Sequence, residues 1–467
     1  MHFVGIGGIG MSGIAEILHN QGYPVKGSDL TENSSVRRLK AVGIPVTVGH
    51  DAANIVGAQV VVISSAIPQD NPEIVAARDA CIPIITRGEM LAEVIRLKKA
   101  IAISGTHGKT TTTSIIAALL NTADFDPTII NGGIINKLQT NAKLGSGEWF
   151  VVEADESDGS FLRLPSVINV ITNIEPEHME HFQSIDALEK AFLQFIRNLP
   201  FYGLGVVCTD DPIVNKNFTK SVDRRIISYG LQGTPNFKAE NIRTEANGLL
   251  FDVSIALRQS PVFGKVSKQG ALVATKRMAD VFLPMFGEHN VLNALAGIAV
   301  ATELGINLEI VKKTLAEFTG VKRRFSILGA KGSVTFVDDY AHHPTEIKAV
   351  LNAARQTTAH RVIIVFQAHR YTRFSRFWGD FLNALSQADA VITMPVYSAG
   401  EEAIKNITGQ NFAKDLGQKY EKESYFAQTP QEALDIVKKI AKEGDFVIGM
   451  GAGTISEFIR DIYEHYE

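Results

Sequence analysis

The chemistry of the chain is clearest at Gly105-Thr106-His107-Gly108-Lys109-Thr110-Thr111. A glycine-bracketed loop ending in Lys-Thr offers backbone N–H groups to an anion. Lys109 adds an ammonium charge, and the Thr110 hydroxyl suits a hard cation such as Mg2+. Together they describe a seat for the phosphates of a nucleoside triphosphate. The strict G-x-x-x-x-G-K-[ST] pattern asks for glycine at position 103, which is Ile103, so the loop is a variant whose first glycine is Gly105. Mg2+ at phosphate also needs carboxylates, because it prefers oxygen ligands. The run Glu153-Ala154-Asp155-Glu156-Ser157-Asp158 follows an apolar stretch and supplies them, with Glu153 as the candidate ligand.

His178 and His181 stand close together without a cysteine or a third histidine, so they make no zinc site; His178 suits work beside Mg2+ or phosphate. Asn290 and Asn293 are spaced i, i+3 beside His289, which lets both point from one helix face toward a nucleotide. The last third of the chain is rich in basic groups: Arg323-Arg324, then Asp339, His342 and His343, then His369, Arg370 and Arg373. Arginine's planar fork fits carboxylate or phosphate, which makes Arg324, Arg370 and Arg373 candidates for anion recognition.

A second glycine loop opens the chain, Gly5-Ile6-Gly7-Gly8-Ile9-Gly10, matching G-x-G-x-x-G. Asp29 lies 19 residues beyond Gly10, near the ~20 expected of a ribose-binding acid. Taken alone this predicts an NAD-dependent oxidoreductase. That reading leaves the Lys109 loop unexplained, so the opening loop is better suited to the pyrophosphate of a different nucleotide. The late Gly449-Met450-Gly451-Ala452-Gly453 has Thr454 where the fingerprint needs glycine, and reads as a helix–strand packing turn.

These residues need elements to hold them. Short apolar runs (HFVGIG, PVKGSD, VVVISSAI, IPIITR) alternate with helical patterns over the first hundred residues, the signature of a parallel sheet with crossover helices. A second alternation starts at KKAIAISGTHGKTTTT, continues through WFVVEAD, VINVITNI and GVVCTD, and breaks into short alternating strands over 237–284. Asn247-Gly248 marks a hairpin there. A third alternation runs through VTFVDDY, RVIIVFQ, AVITMPV and DFVIGMG. The expected fold is α/β in three domains: a Rossmann-like domain over 1–97, a central phosphate-loop ATPase-like domain with an antiparallel insertion over 98–319, and a Rossmann-like domain over 320–467.

The 467 residues are 45% hydrophobic and 21% charged, with a formal net charge of −4. That composition fits a globular protein and carries no basic footprint for nucleic acid. No apolar run approaches the ~20 residues of a membrane span. Cys81 and Cys208 match no metal or redox spacing, and no signal-peptide pattern precedes the glycine loop, so a reduced, cytoplasmic setting is expected.

Taken together the motifs resemble the Mur ligase family of bacterial cell-wall synthesis. The resemblance rests on HFVGIGGIGMSG, KGSD, SGTHGKTTTT, EADESDGSF, NLPFYG, HNVLNALA, KRRF, DDYAHHPTEI and HRYTR, in order from residue 2 to residue 373. It implies ATP-dependent activation of the carboxylate of UDP-N-acetylmuramate as an acyl phosphate, attack by the amine of L-alanine, and a need for Mg2+. By the same resemblance Gly105 to Thr111 hold ATP, with Lys109 on the transferring phosphoryl and Thr110, Glu153 and His178 at the metal. Asn290, Asn293, Arg324 and Asp339 also serve ATP, the last two from the third domain. His343, Arg370 and Arg373 face the amino acid. Gly7, Gly8, Ile9 and Gly10 take the UDP pyrophosphate, with Asp29, His50 and Ser65 near ribose and uracil. The family usually has aspartate after its His-Met pair, where this chain has Glu180, which keeps the charge. A relative in the family joins a whole peptide to the same sugar; its opening loop is usually less glycine-rich, which favours alanine here.

Overall fold

Burial on both faces explains the first sheet, whose strands at His2–Val4 and Val61–Ile63 are buried at every residue. The computed structural model describes residues 1–64, 66–96, 98–177, 179–218, 222–258, 272–358 and 360–466. Strands β1 (His2–Val4), β2 (Lys26–Asp29), β3 (Val46–Val48), β4 (Val61–Ile63) and β5 (Ile84–Thr86) are all parallel, in the order β3-β2-β1-β4-β5. Helices α1 (Ile9–Asn20), α2 (Ser34–Ala41), α3 (Pro72–Asp79) and α4 (Arg87–Ile95) belong to the same layer system. Alternate residues point to opposite faces: Phe3 and Val62 join one apolar cluster with Ile14, Leu18 and Leu91, whereas Val4, Val61 and Ile63 join another with Ile74 and Ala77. Because β1 lies between β2 and β4, the strand order reverses there, and the glycine loop leaves β1 where such sheets open a crevice.

The second sheet contains β6 (Lys99–Ser104), β7 (Thr128–Ile135), β8 (Thr140–Lys143), β9 (Trp149–Glu153), β10 (Ser166–Ile171), β11 (Leu204–Cys208), β12 (Arg225–Gly230), β13 (Phe237–Glu245), β14 (Gly248–Arg258) and β15 (Leu272–Leu283). Their order is β15-β14-β13-β12-β11-β10-β6-β9-β7-β8. Strand β6 is central, parallel to β10 on one side and β9 on the other, and it feeds α5 (Lys109–Thr122). The hairpin between β13 and β14 turns at Ala246-Asn247, beside the Asn247-Gly248 signal. Strands β7 and β8 are not legible in the sequence: in TIINGGII an Asn-Gly-Gly run splits two isoleucine pairs, and TNAK is short and mostly polar.

The third sheet runs β16-β17-β21-β18-β19-β20, from β16 (Ser326–Lys331), β17 (Val334–Asp339), β18 (Val362–Phe366), β19 (Ala390–Thr393), β20 (Glu423–Phe426) and β21 (Phe446–Met450). Only the β16–β17 pair in it is antiparallel.

The chain divides into two compact units, one of Met1–Arg243, Leu250–Pro284 and Asn290–Gly320, the other of Thr244–Leu249, Met285–His289 and Val321–Glu467. The first two sheets share a unit because β7 and β8 receive α1. Asn141 donates to the Ile9 carbonyl (2.8 Å), and Arg38 donates to Asn141 Oδ1 (2.6 Å) and Thr140 Oγ1 (3.2 Å). Lys98, just before β6, donates to Thr128 Oγ1 and to the Gly145 and Gly147 carbonyls, tying the connection down. Among the described residues no helix is long and apolar enough to cross a membrane.

Candidate functional site

The C-terminal ends of three neighbouring strands meet at the phosphate loop. Strand β6 ends in the loop itself, β9 ends in Glu153, and β10 is followed by Thr172-Asn173. The loop needs its glycines: Gly105 has φ +132° and Gly108 φ +80°, and a Cβ on Gly105 would collide with Thr172. The Lys109 ammonium folds back on the loop, donating to the Gly105 carbonyl (2.6 Å), the Thr106 carbonyl (3.1 Å) and Glu156 Oε1 (2.9 Å). Burial alone would lower its pKa, but the charges of Glu156, Glu153 and Asp155 outweigh that and raise it above the usual lysine value. Thr110 Oγ1 donates to Glu153 Oε1 at 3.2 Å, and Glu153 Oε2 accepts from the Gly132 N–H at 2.7 Å. The hydroxyl at the start of α5 and the carboxylate at the end of β9 are therefore adjacent oxygen groups.

Asn293 sits against the same loop. Its Oδ1 accepts from Thr112 Oγ1 (3.1 Å), its Nδ2 donates to Asn290 Oδ1 (3.2 Å), and a Cβ on Gly108 would lie 2.5 Å from its Oδ1. The i, i+3 asparagine pair thus joins the residues from 105 to 111, although it lies far along the chain. Asn173 was missed as a site residue. It fixes the loop from the β10 side, accepting from the His107 N–H (2.8 Å) and donating to the His107 carbonyl (3.1 Å). Its neighbour Glu175 lies 3.5 Å from His107 Nε2. His178 lies outside the described residues.

The opening glycine loop is held by β2. The Ser28 carbonyl accepts from the Gly5 and Ile6 N–H groups, each at 2.9 Å, and Asp29 Oδ2 accepts from the Gly7 N–H at 2.8 Å. Asp29 therefore shapes the loop. His50 Nδ1 is 3.1 Å from Ser28 Oγ. Beneath them lies a residue that no motif marks. Glu73 is fully buried and accepts from Ser28 Oγ (2.6 Å) and Asn54 Nδ2 (2.5 Å), with His2 Nε2 at 3.2 Å. Burial would raise its pKa, yet the hydrogen bonds from His2, Ser28 and Asn54 hold it down to about 2. Ser65 lies outside the described residues.

In the other unit, the remaining candidates stand at the C-terminal ends of β17 and β18. Asp339, the last residue of β17, accepts from the Phe325 and Ala341 N–H groups at 2.7 Å each; burial pushes it up to about 6, against the pull of Arg324. Arg324 reaches Glu346 at 3.6 Å and lies over the Tyr340 ring. His343 caps the helix Pro344–Thr357: its Nδ1 accepts from the Thr345 N–H, and its ring packs edge-on against Phe377. After β18, Arg370 adopts φ +69°, ψ 131°, a conformation costly for a residue with a Cβ, and its N–H bonds the Tyr397 carbonyl at 2.8 Å. Arg370 and Arg373 flank His369, whose pKa falls to about 3 through burial and the charges of His342, Arg373, Arg370 and Arg323. The late glycine run packs as its spacing suggested, since a Cβ on Gly449 would meet Ile459 at 2.6 Å.

Comparison with known proteins fits this arrangement segment by segment. Residues 1–99 match the Mur ligase family, catalytic domain; residues 103–301 match the Mur ligase middle domain; residues 323–453 match the Mur ligase, glutamate ligase domain. The chain belongs to the Mur ligase family. This Mur ligase is 50% identical over 464 residues to a UDP-N-acetylmuramate–L-alanine ligase of Granulibacter bethesdensis, covering 99% of this chain and 94% of that one. It is 51% identical over 458 residues to the like-named enzyme of a Chelativorans species, covering 98% of this chain and 96% of that one. Its fold is similar to that of the UDP-N-acetylmuramate-alanine ligase of Thermotoga maritima, with TM-score 0.82, 31% identity, and coverage of 100% and 98%. The murein peptide ligase of Psychrobacter arcticus shares the fold at TM-score 0.71 and 22% identity, with coverage of 99% and 98%.

Proposed function

We propose that this Mur ligase joins L-alanine to the carboxylate of UDP-N-acetylmuramate, driven by ATP, in the synthesis of peptidoglycan precursors. The observation that carries the reading is the coexistence of two nucleotide loops, at Gly7–Gly10 and Gly105–Thr111, in a chain that matches ligases of that activity from end to end. A carboxylate is a poor electrophile, and transfer of the γ-phosphoryl group gives it a leaving group. The amine of alanine then adds, and the tetrahedral intermediate collapses to the amide with release of phosphate. Such a reaction asks the protein for positioning and charge neutralisation above all.

Lys109, held charged by its acidic neighbours, neutralises the transferring phosphoryl group. Asn290 and Asn293 brace the loop on the ATP side, and Arg324 and Asp339 serve the same nucleotide. Arg370 and Arg373 bind the alanine carboxylate, for which a planar, permanently charged fork is suited; His343 orients that region from its capping position. Gly7, Gly8, Ile9 and Gly10 seat the UDP pyrophosphate, with Asp29 and His50 on the nucleoside.

The Thr110 hydroxyl and the Glu153 carboxylate, 3.2 Å apart, are a donor set that fits Mg2+; when bound, the ion screens the charge of the phosphate oxygens. His178 serves the same group. Functional segments of 1–97, 98–319 and 320–467 divide these tasks, and ATP with a nucleotide-linked sugar as co-substrates makes the cytoplasm the working compartment.

The test is phosphate release in the presence of UDP-N-acetylmuramate, ATP and Mg2+, with each amino acid supplied in turn. Release that depends on L-alanine is expected. Release that is indifferent to alanine, or that depends on a peptide instead, overturns the reading.

A further inference from the structure

An arginine is badly placed at the first residue of a helix, where its charge adds to the positive end of the peptide dipoles. Arg87 nevertheless opens α4, whose start is already capped by Thr86 and Glu89. Its side chain lies against the start of a second helix. A Cβ on Gly10 would come 3.2 Å from Arg87 Cδ and 3.3 Å from its Nη1. The N-termini of α1 and α4 and a guanidinium thus converge beside the glycine loop. The first-turn N–H groups of α1 have no partner within their own helix. That accumulation of positive charge is offset by the partly exposed carboxylates of Asp155 and Asp158 rather than by anything within the two helices, and such conflicts mark functional positions.

What holds Arg87 is loose. Its Nη2 lies 3.3 Å from Asp155 Oδ2 and 3.6 Å from Asp158 Oδ2, carboxylates 43% and 27% exposed, while the Arg87 side chain is 16% exposed. Among the described residues no acceptor pairs with its Nε or Nη1. A tether between α4 and the acidic segment does not require this arginine. Gly88 is pressed against Ser160, and Arg163 reaches Glu89 at 2.6 Å.

We propose that Arg87 is a substrate-binding residue whose guanidinium grips the diphosphate of the nucleotide sugar seated on the glycine loop, with Asp155 and Asp158 holding it until that anion takes their place. The proposal rests on the reading of Gly7–Gly10 as a UDP seat and adds a residue that lies outside every loop motif. A diphosphate is the fitting anion because Arg87 meets α1 at Gly10, inside the phosphate-binding turn.

The test is calorimetric titration of the intact protein, without ATP, by uridine, UDP and UDP-N-acetylmuramate. Loss of a charge-assisted pair predicts that Arg87→Met binds both UDP and UDP-N-acetylmuramate about 10- to 100-fold more weakly. Arg87→Lys should recover part of the loss, and uridine binding should not move. Asp158→Asn should bind UDP as tightly as the unmodified protein or more tightly, since it removes a competitor for the guanidinium. Three results overturn the proposal: unchanged UDP affinity in Arg87→Met; equal losses in Arg87→Met and Asp158→Asn, which would make the arginine a tether; or a loss confined to UDP-N-acetylmuramate, which would assign it to the carboxylate. If the unmodified protein binds UDP no better than uridine, the reading of the glycine loop fails instead.

Discussion

The phosphate loop and the ends of β17 and β18 are built with opposite charge balance. At the loop a single ammonium, Lys109, stands among Glu153, Asp155 and Glu156, and its pKa rises above the usual lysine value. At the third sheet cations predominate and histidines lose their protons. His369 is pushed to about 3 by burial and by His342, Arg373, Arg370 and Arg323, and His289 to about 4 by burial and Arg324. The first region is an acid-rich cradle with one cation fixed in the charged state, the arrangement proposed above to hold Mg2+ and a phosphoryl group. The second is a cation-rich wall, proposed above to meet anions, in which His289 and His369 are held toward the neutral, hydrogen-bonding form. The difference lies in which residue is the minority charge, and the minority charge in each region should be the sensitive one.

Removing Lys109 is the strongest test of that contrast. Lys109→Ala should lower turnover by at least about a thousandfold, because a preorganised charge on the transferring group is lost in a site shielded from water. It should also destabilise the protein, since Glu156, 2% exposed, would lose the ammonium that lies 2.9 Å from its Oε1. The double variant Lys109→Met/Glu156→Gln should regain the melting temperature without regaining turnover. Recovery of turnover as well would show that the loop needs packing and not charge.

On the cation-rich side, single removals should act on one substrate. Arg373→Met and Arg370→Ala should each raise KM for L-alanine about 10- to 100-fold, the value of a charged hydrogen bond, with KM for ATP nearly unchanged. If KM for ATP rises equally, the wall recognises phosphate and not the amino-acid carboxylate. Gly108→Ala should have a smaller effect, raising KM for ATP by about tenfold: a side chain at φ +80° costs about 1–2 kcal/mol, and its Cβ would displace Asn293.

The two regions also differ in how far the sequence discloses them. The phosphate loop is contiguous, strand to loop to helix, so its residue types carry the chemistry on their face, and Glu153 follows from its place at the end of an apolar run. The asparagine pair is legible for the same local reason, its helical spacing. Glu73 is not: it lies on a short helix with weak apolar patterning, and its partners His2, Ser28 and Asn54 come from three separate segments. Asn173 looks like any residue following a strand until the fold sets it against His107. The three-sheet α/β architecture can be read from alternation, but β7 and β8 escape because Asn131, Gly132 and Gly133 interrupt the isoleucines of β7 and the edge strand β8 is four residues long. Their docking of α1 is what joins the first two sheets into one unit, and no periodicity announces it.

The smallest effect, and the sharpest on the contrast, concerns acid. A histidine whose folded pKa lies below its unfolded value of about 6.5 binds protons preferentially in the unfolded chain, so its contribution is complete above pH 6.5 and is lost as pH falls toward the folded value. For His289 and His369 that window runs from 6.5 down to about 4 and about 3. Asp339 works the other way, because its folded pKa of about 6 lies above the ordinary aspartate value of 3.8 and its protonation favours the folded form as pH drops; one carboxyl opposes two imidazoles. Glu73, in the other unit, has its folded pKa lowered from 4.5 to about 2, so its contribution is present above 4.5 and fades only below it. Between pH 6.5 and 4.5 the unit of the third sheet should therefore lose stability first. Trp149 and Trp378 are the protein's two tryptophans, one in each unit, so Trp149→Phe and Trp378→Phe leave one reporter apiece. The melting temperature reported by Trp378 should fall by a few degrees from pH 7 to pH 5 while that reported by Trp149 holds, and His369→Gln should flatten the Trp378 profile. Parallel declines in both reporters, or a Trp378 profile untouched by His369→Gln, would mean that the cation-rich wall does not hold its histidines neutral.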